Sequence, residues 1–208
     1  MSNTFAFRLL LAATAPLAAA GFLPAAAQAQ SGDPAVQKID AFDTALIQLM
    51  KDAKSAGPQA RFKSFAPAVD AALDVPVMTA FSVGPLWATA AAEDKAATIA
   101  AFRRFTVASY VKNFNSYGGQ AIAVTPDVQT RGPDKLVKTQ MTGGGSNVTL
   151  IYRMRLSASG SWKVIDVIYN GSVSQLSSQR SDFSSTVASG GLKALIAKLD
   201  ALTEKLLK

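Results

Sequence analysis

The stretch VTLIYRMRL at residues 148–156 decides the fold class. Apolar side chains stand at every second position from Val148 to Leu156, and two of the positions between them hold arginines. This period of two predicts a strand with one buried face. Ser159-Gly160 supplies a turn, and Trp162–Tyr169 predicts a partner strand that returns beside the first. The sequence therefore predicts an antiparallel sheet in the second half of the chain.

Helical periodicity flanks these strands on both sides. Apolar residues recur at three- and four-residue steps in segments that precede the strands, and Pro67 marks a break or restart in the second of them. Those segments are Val36–Ala53, Phe62–Leu73, Asp74–Phe81 and Glu93–Tyr117. Further strand candidates are Ala121–Val124 and Leu136–Met141. After the strands, two more helical segments are predicted, Val173–Val187 and Leu192–Leu206, separated by Gly190-Gly191. Helices, then antiparallel strands, then helices predict an α+β fold.

The N-terminus has the features of a secretory signal peptide. Arg8 is the only charged residue before Asp33, and a short apolar run follows it. Ala27-Gln28-Ala29 fits the small-x-small rule for cleavage. Prolines and glycine interrupt the run, which falls short of the ~20 apolar residues that a transmembrane helix needs. We therefore expect residues 1–29 to be a cleaved signal, residues 30–208 to form a single domain, and the mature protein to be periplasmic.

Composition excludes several classes of function. The chain has no cysteine and no histidine, which argues against the usual zinc, haem and thiolate sites and excludes a Ser-His-Asp triad. We expect no catalytic residue, no metal and no cofactor. The net charge of +7 fits attraction to anionic membrane surfaces, and it fits plain solubility equally well. Basic residues are spread along the chain, so we expect no nucleic-acid partner, and we expect a monomer.

Several short motifs resemble those of one family of bacterial exported proteins. WKVIDV at 162–167, GSVS at 171–174 and RSDF at 180–183 follow one another in the order seen in the MlaC-type toluene-tolerance family. VGPLW at 83–87 and FRRF at 102–105 resemble its upstream signatures. The ending SGGLKALI at 189–196 is similar to its closing motif. Within the family, the sequence is closer to the hopanoid-associated branch, HpnM, in GPLW at 84–87, AFRRFTVASY at 101–110 and the turn NGSVSQL at 170–176, which departs from that branch at Asn170.

This resemblance implies a fold and a function. It implies a curved antiparallel sheet, cystatin-like and cone-shaped, wrapped by several helices around an apolar cavity. It implies a periplasmic carrier that shuttles a lipid between the inner and outer membranes and docks transiently on a membrane transporter or an outer-membrane lipid acceptor. The HpnM branch implies a hopanoid or related lipid as cargo, and the wider family implies a phospholipid as the alternative.

The candidate cavity residues are apolar or aromatic, since withdrawing each CH₂ from water contributes ~0.8 kcal/mol and since Met and aromatic side chains adapt to varied tails. An ordinary filled core, in a structural protein that acts through its surface, is the alternative interpretation of the same residues. The candidates are Met78, Phe81, Leu86, Trp87, Phe102, Phe105, Tyr110, Phe114, Leu150, Tyr152, Met154, Ile168, Val173, Leu176 and Phe183. We expect at least one of Trp87 and Phe102 to line the lipid site.

Two charged residues stand in apolar surroundings. Arg180 lies on the stripe of the predicted helix after the sheet, and Asp166 lies in a predicted apolar strand. A buried charge requires a partner, and the candidates for Arg180 are Asp166 and the nearby Asp182. We expect a structural ion pair between Asp166 and Arg180. Two alternatives stay open: Arg180 meets a polar head at the cavity mouth, or Asp166 is the general base of a small-molecule isomerase or hydratase on a cone-like fold.

Overall fold

The computed structural model describes residues 32–145 and 147–208. The predicted signal peptide, residues 1–29, lies outside the described residues. Within the described part of the chain, no helix combines the length and the apolar character needed to cross a membrane.

In the part of the chain that the structure describes, five α-helices precede the sheet. They are α1 (Pro34–Lys51), α2 (Pro58–Ala72), α3 (Val75–Val83), α4 (Leu86–Thr89) and α5 (Ala92–Asn113), with a 3-10 turn at Asp52–Lys54. Asp33 caps α1 by accepting the Ala35 N–H at 2.8 Å. The break predicted at Pro67 is wrong, because α2 runs through it. Pro67 lies on the exposed side of α2, where water can bond the carbonyl that proline leaves without a donor.

The sheet has five antiparallel strands in chain order. They are β1 (Ala121–Arg131), β2 (Asp134–Thr142), β3 (Val148–Leu156), β4 (Trp162–Tyr169) and β5 (Val173–Ser174). The predicted bounds of β3 and β4 are confirmed, and so is the α+β class. β1 extends beyond the predicted Ala121–Val124, because its pairing with β2 resumes at Val128 after an irregularity that interrupts the alternation.

The last helix, α6 (Gln175–Leu206), is broken at Gly191, which has φ 65° and ψ −157°. This conformation favours glycine, and it confirms the predicted interruption at Gly190-Gly191. α6 packs along α5 and α3. α1 and α2 lie against the sheet, and the core joins Ile39 and Phe42 of α1 to Val69 of α2 and Tyr152 of β3.

Candidate binding cavity

A cavity of about 530 Å³ lies between the sheet and the helices. Its walls come from the C-terminal turns of α5, from β2, β3 and β4, and from the junction of β5 with α6. The lining residues are Ser109, Tyr110, Asn113, Phe114, Met141, Val148, Leu150, Tyr152, Val167, Tyr169, Val173, Gln175 and Ser178. A mainly apolar cleft with a few polar groups is typical of a small-molecule site.

Strand register builds the sheet wall of this cavity. Val148 pairs with Met141 of β2, while Leu150 pairs with Tyr169 and Tyr152 pairs with Val167 of β4. Residues that pair directly across antiparallel strands point to the same face of the sheet. The alternation in β3 therefore sets one row of the wall, and its cross-strand partners complete the wall on both sides.

The lining residues are buried at one end of the cavity, its floor, and exposed at the other end, its mouth. Leu150, Tyr152 and Val167 are buried. Tyr169 and Val173, at the other end, are 47% and 53% exposed. On the helical side, Tyr110 and Phe114 stack with their ring centroids 5.8 Å apart. An elongated apolar group can therefore enter at the β5–α6 junction and reach the floor between β3 and α5.

A buried polar pair lies behind the floor. The Tyr152 hydroxyl donates a hydrogen bond of 2.8 Å to Oδ1 of Asp43, a buried residue of α1. Burial raises the pKa of Asp43 to about 7, with a smaller contribution from the charge of Asp40 and an opposing one from the Tyr152 bond. Burial, together with the nearby Asp43 charge, also raises the pKa of Tyr110 and of Tyr152. Near neutral pH the protonated form of the Asp43 carboxyl is therefore far more populated than it is in an exposed aspartate.

Asp43 also borders a second, more polar pocket of about 400 Å³ between α1 and β1. The pocket is lined by Asp40, Asp43, Thr44, Ile47, Gln48, Lys51 and Ile122. The Asp43–Tyr152 bond thus lies between the two pockets. In residues 32–145 and 147–208, no group of three or more His, Cys, Asp or Glu side chains is placed to hold a metal ion.

A family model described as MlaC protein matches residues 40–201, which is more than half of the chain. The chain belongs to the MlaC family. A solved structure with a TM-score of 0.70 is the phospholipid-binding protein from Ralstonia solanacearum in complex with a phospholipid. It is 22% identical, and the match covers 88% of this chain and 99% of that one, so the likeness shows a shared fold. No curated protein matches this chain.

In this MlaC-family chain, only part of the predicted residue set lines the cavity. Tyr110, Phe114, Leu150, Tyr152 and Val173 do so. Neither Trp87 nor Phe102 does. Five of the candidates are buried in the core away from the cavity: Met78, Phe102, Met154, Leu176 and Phe183. Trp87 is half-buried on α4, whereas Phe81 and Leu86 are exposed on α3 and α4.

The positions at which the elements cross explain why these candidates do not line the cavity. α5 is 22 residues long, and only its C-terminal turns reach the sheet wall of the cavity. Phe105, one turn earlier, makes an edge contact with Phe183 of α6 at 6.0 Å. Ile168 pairs with Ile151 and so points to the face opposite Val167.

Sequence reasoning also missed cavity residues. Met141, Val167 and Tyr169 are the cross-strand partners of the β3 row, and Val148 begins that row. The alternation of β3 could have placed Val148 at the wall. The other three required the register. The polar residues at the mouth, among them Asn113 and Ser178, show no sequence signal that separates them from ordinary surface residues.

The ion pair expected between Asp166 and Arg180 is not formed. Asp166 accepts hydrogen bonds from the Ser174 hydroxyl at 2.7 Å and from the backbone N–H groups of Val167 and Leu176. Ser174 in turn caps α6 by accepting the Ser177 N–H. Arg180 is exposed, and its guanidinium lies 5.2 Å from the ring centroid of Phe81 on α3. The carboxylate is satisfied by the start of α6, so the arginine is free to turn outward.

Proposed function

We propose that this chain is a periplasmic lipid carrier that holds the apolar part of a membrane lipid in the cavity between sheet and helices. The cavity itself is the observation on which this rests: about 530 Å³ with an apolar sheet wall, a buried floor and a mouth at Tyr169 and Val173. Each CH₂ taken from water into such a site contributes ~0.8 kcal/mol, so an alkyl tail of ordinary length provides ample affinity. Membership of the MlaC family supports the same function.

We propose a hopanoid or related lipid as cargo, on the resemblance of NGSVSQL at residues 170–176 to the HpnM branch. This turn lies at the cavity mouth, where it contributes Val173 and Gln175. A phospholipid is the second candidate, supported by the phospholipid-bound Ralstonia protein of the same fold. The proposal includes transient docking on a membrane transporter or lipid acceptor. It includes no catalytic step, since the carboxylate of Asp166 is engaged in holding β5 and α6.

Lipids extracted from protein purified from the periplasm identify the cargo by mass spectrometry. Hopanoid supports the first candidate and phospholipid the second. Val173→Glu, at the exposed mouth, should reduce the retained lipid several-fold because a charge there must be desolvated when a tail enters. Val77→Glu is the matched control, since Val77 is similarly exposed on α3 but outside the cavity. A wild-type protein that neither retains lipid nor binds an apolar fluorescent probe would contradict the carrier function.

Export is tested separately. With cleavage after Ala29, the mature N-terminus is Gln30. Peptide mass analysis of the periplasmic protein should find Gln30 first, and an intact Met1 would overturn the predicted signal.

A further inference from the structure

Four polar side chains meet behind the apolar wall of the cavity, each from a different element. They are Asp43 of α1, Tyr110 of α5, Thr139 of β2 and Tyr152 of β3. The Tyr152–Asp43 bond uses one carboxyl oxygen. Oδ2 of Asp43 is buried without a hydrogen-bond partner among the described residues, and Oγ1 of Thr139 lies beside the Tyr152 hydroxyl without a bond of full geometry. Within the described chain, no hydrogen bond uses the Tyr110 hydroxyl either.

Such a cluster is costly to the fold. Buried polar groups in native proteins are nearly always hydrogen-bonded, and each one left unpaired costs about 1–3 kcal/mol. An apolar side chain at position 139 would avoid part of that cost. Several free groups at one place beside a ligand cavity therefore point to a partner supplied by the ligand.

The cluster is within reach of that cavity. Tyr110 and Tyr152 both line it, while the Asp43 charge acts on both of their hydroxyls. The near-neutral pKa of Asp43 lets its carboxyl either donate or accept a hydrogen bond at the pH of the periplasm. Tyr110 donates and accepts through the same oxygen. The free groups can thus pair with an incoming hydroxyl in either direction.

We propose that the cavity selects lipids whose buried end bears a hydroxyl, which hydrogen-bonds to the free groups of the Asp43–Tyr110–Thr139–Tyr152 cluster. This inference rests on the proposed function as a lipid carrier and names the chemical class of the cargo. A plain alkyl end excludes water from the cluster and leaves it unpaired. A hydroxylated end satisfies it. Specificity of this kind arises where a site holds a few placed polar groups in an apolar lining.

The test uses two ligands that differ in one atom. Palmitic acid and ω-hydroxypalmitic acid compete with a fluorescent apolar probe for the delipidated full-length mature protein. Their charged carboxylates keep the same end at the mouth, away from Asp43. We expect the hydroxy acid to displace the probe at a concentration about 5- to 10-fold lower, the equivalent of one net hydrogen bond. Without the cluster, the hydroxyl would weaken binding, since it is costlier to bury than a methyl group.

Three variants locate the effect. Tyr110→Phe removes a hydroxyl that makes no bond in the fold, so its melting temperature should stay near wild type while the preference falls severalfold. Thr139→Val, nearly the same shape, should reduce the preference as well and serves if Tyr110→Phe fails to fold. Tyr117→Phe is the control: it makes the same change outside the cavity and should keep the preference.

The outcomes separate the two proposals. Displacement by both ligands with no preference for the hydroxy acid overturns the inference, means that water satisfies the cluster, and leaves the carrier function standing. A preference that survives both Tyr110→Phe and Thr139→Val also overturns it. Displacement by neither ligand contradicts the carrier function itself.

Discussion

Asp43, behind the cavity, and Asp134, at the start of β2, are both almost fully buried, at 5% and 1% exposure. Their surroundings differ. Asp134 accepts hydrogen bonds from Arg153 and from Arg155 of β3, each at 2.6 Å from Nε. These arginines hold the pKa of Asp134 below its usual range, with Arg155 the larger cause. Asp43 has a neutral phenol as its partner, and burial raises its pKa to about 7.

Burial raises the pKa of Asp43 because no cation among the described residues offsets it, whereas at Asp134 the two arginines outweigh the effect of burial and lower the pKa. Both oxygens of Asp134 are used, and they clamp β2 to β3 at the end of the sheet away from the cavity mouth. Asp43 keeps one oxygen free beside the cavity. In this molecule the fully paired carboxylate joins two strands, whereas the incompletely paired one lies directly behind Tyr152, a residue of the cavity wall.

The largest expected effect is at Asp43. Its folded pKa of about 7 lies above the ordinary value of 3.8, so the folded state holds the proton that the unfolded state loses. The stability it contributes is present below pH 3.8 and is lost as the pH rises through 7. Asp43→Asn does not titrate. Wild type should therefore lose stability between about pH 4 and pH 8 that Asp43→Asn does not lose. Over that range, the free energy of unfolding of the variant minus that of wild type should rise by about 3 kcal/mol.

Urea denaturation at several pH values measures this difference. Thr44→Ala, an exposed change at the next position of α1 that introduces and removes no titrating group, should stay parallel to wild type. A difference between Asp43→Asn and wild type that stays constant with pH would show that Asp43 titrates normally, and the contrast with Asp134 would fail.

Asp134 should give the opposite dependence on pH. Its folded pKa lies below 3.8, so its stabilising effect is present above that value and is lost as the pH falls through the folded pKa. Asp134→Asn should cost about 2 kcal/mol at neutral pH, because charge-assisted bonds to two arginines are lost. The cost should shrink in acid. Asp127→Asn, at an exposed carboxylate of β1, is the control. An equal loss of stability in this variant would contradict the role of Asp134 in holding β2 to β3.

A third carboxylate, Asp166, should give a smaller effect on stability. Asp166→Asn should cost about 1–2 kcal/mol in thermal melts, because it weakens the bonds that hold Ser174 and the start of α6. Arg180→Met should stay within about 0.5 kcal/mol of wild type, since the arginine is exposed and lies over Phe81 and beside Gly84 without an ion pair to any described residue. Equal losses in the two variants, recovered in the double variant, would restore the ion pair that the sequence suggested.

Local pattern alone determined several elements of this protein. The alternation over 148–156 and the apolar residues of 162–169 set β3 and β4 to the residue, and Gly190-Gly191 set the break in α6. Periodicity predicts such features because it depends on neighbours a few residues apart. It also placed Leu150 and Tyr152 on the face that lines the cavity.

Only the tertiary structure decided which side chains meet at the cavity. Tyr169 lines it because the register of β4 sets it opposite Leu150, and Phe102 does not because α5 reaches the sheet wall only at its far end. The partners of Asp166 and Asp43 followed the same rule: Ser174 and Tyr152 are fixed by how strands and helices come together. A pattern along one element shows which face is buried, whereas register and crossing position determine what that face is buried against.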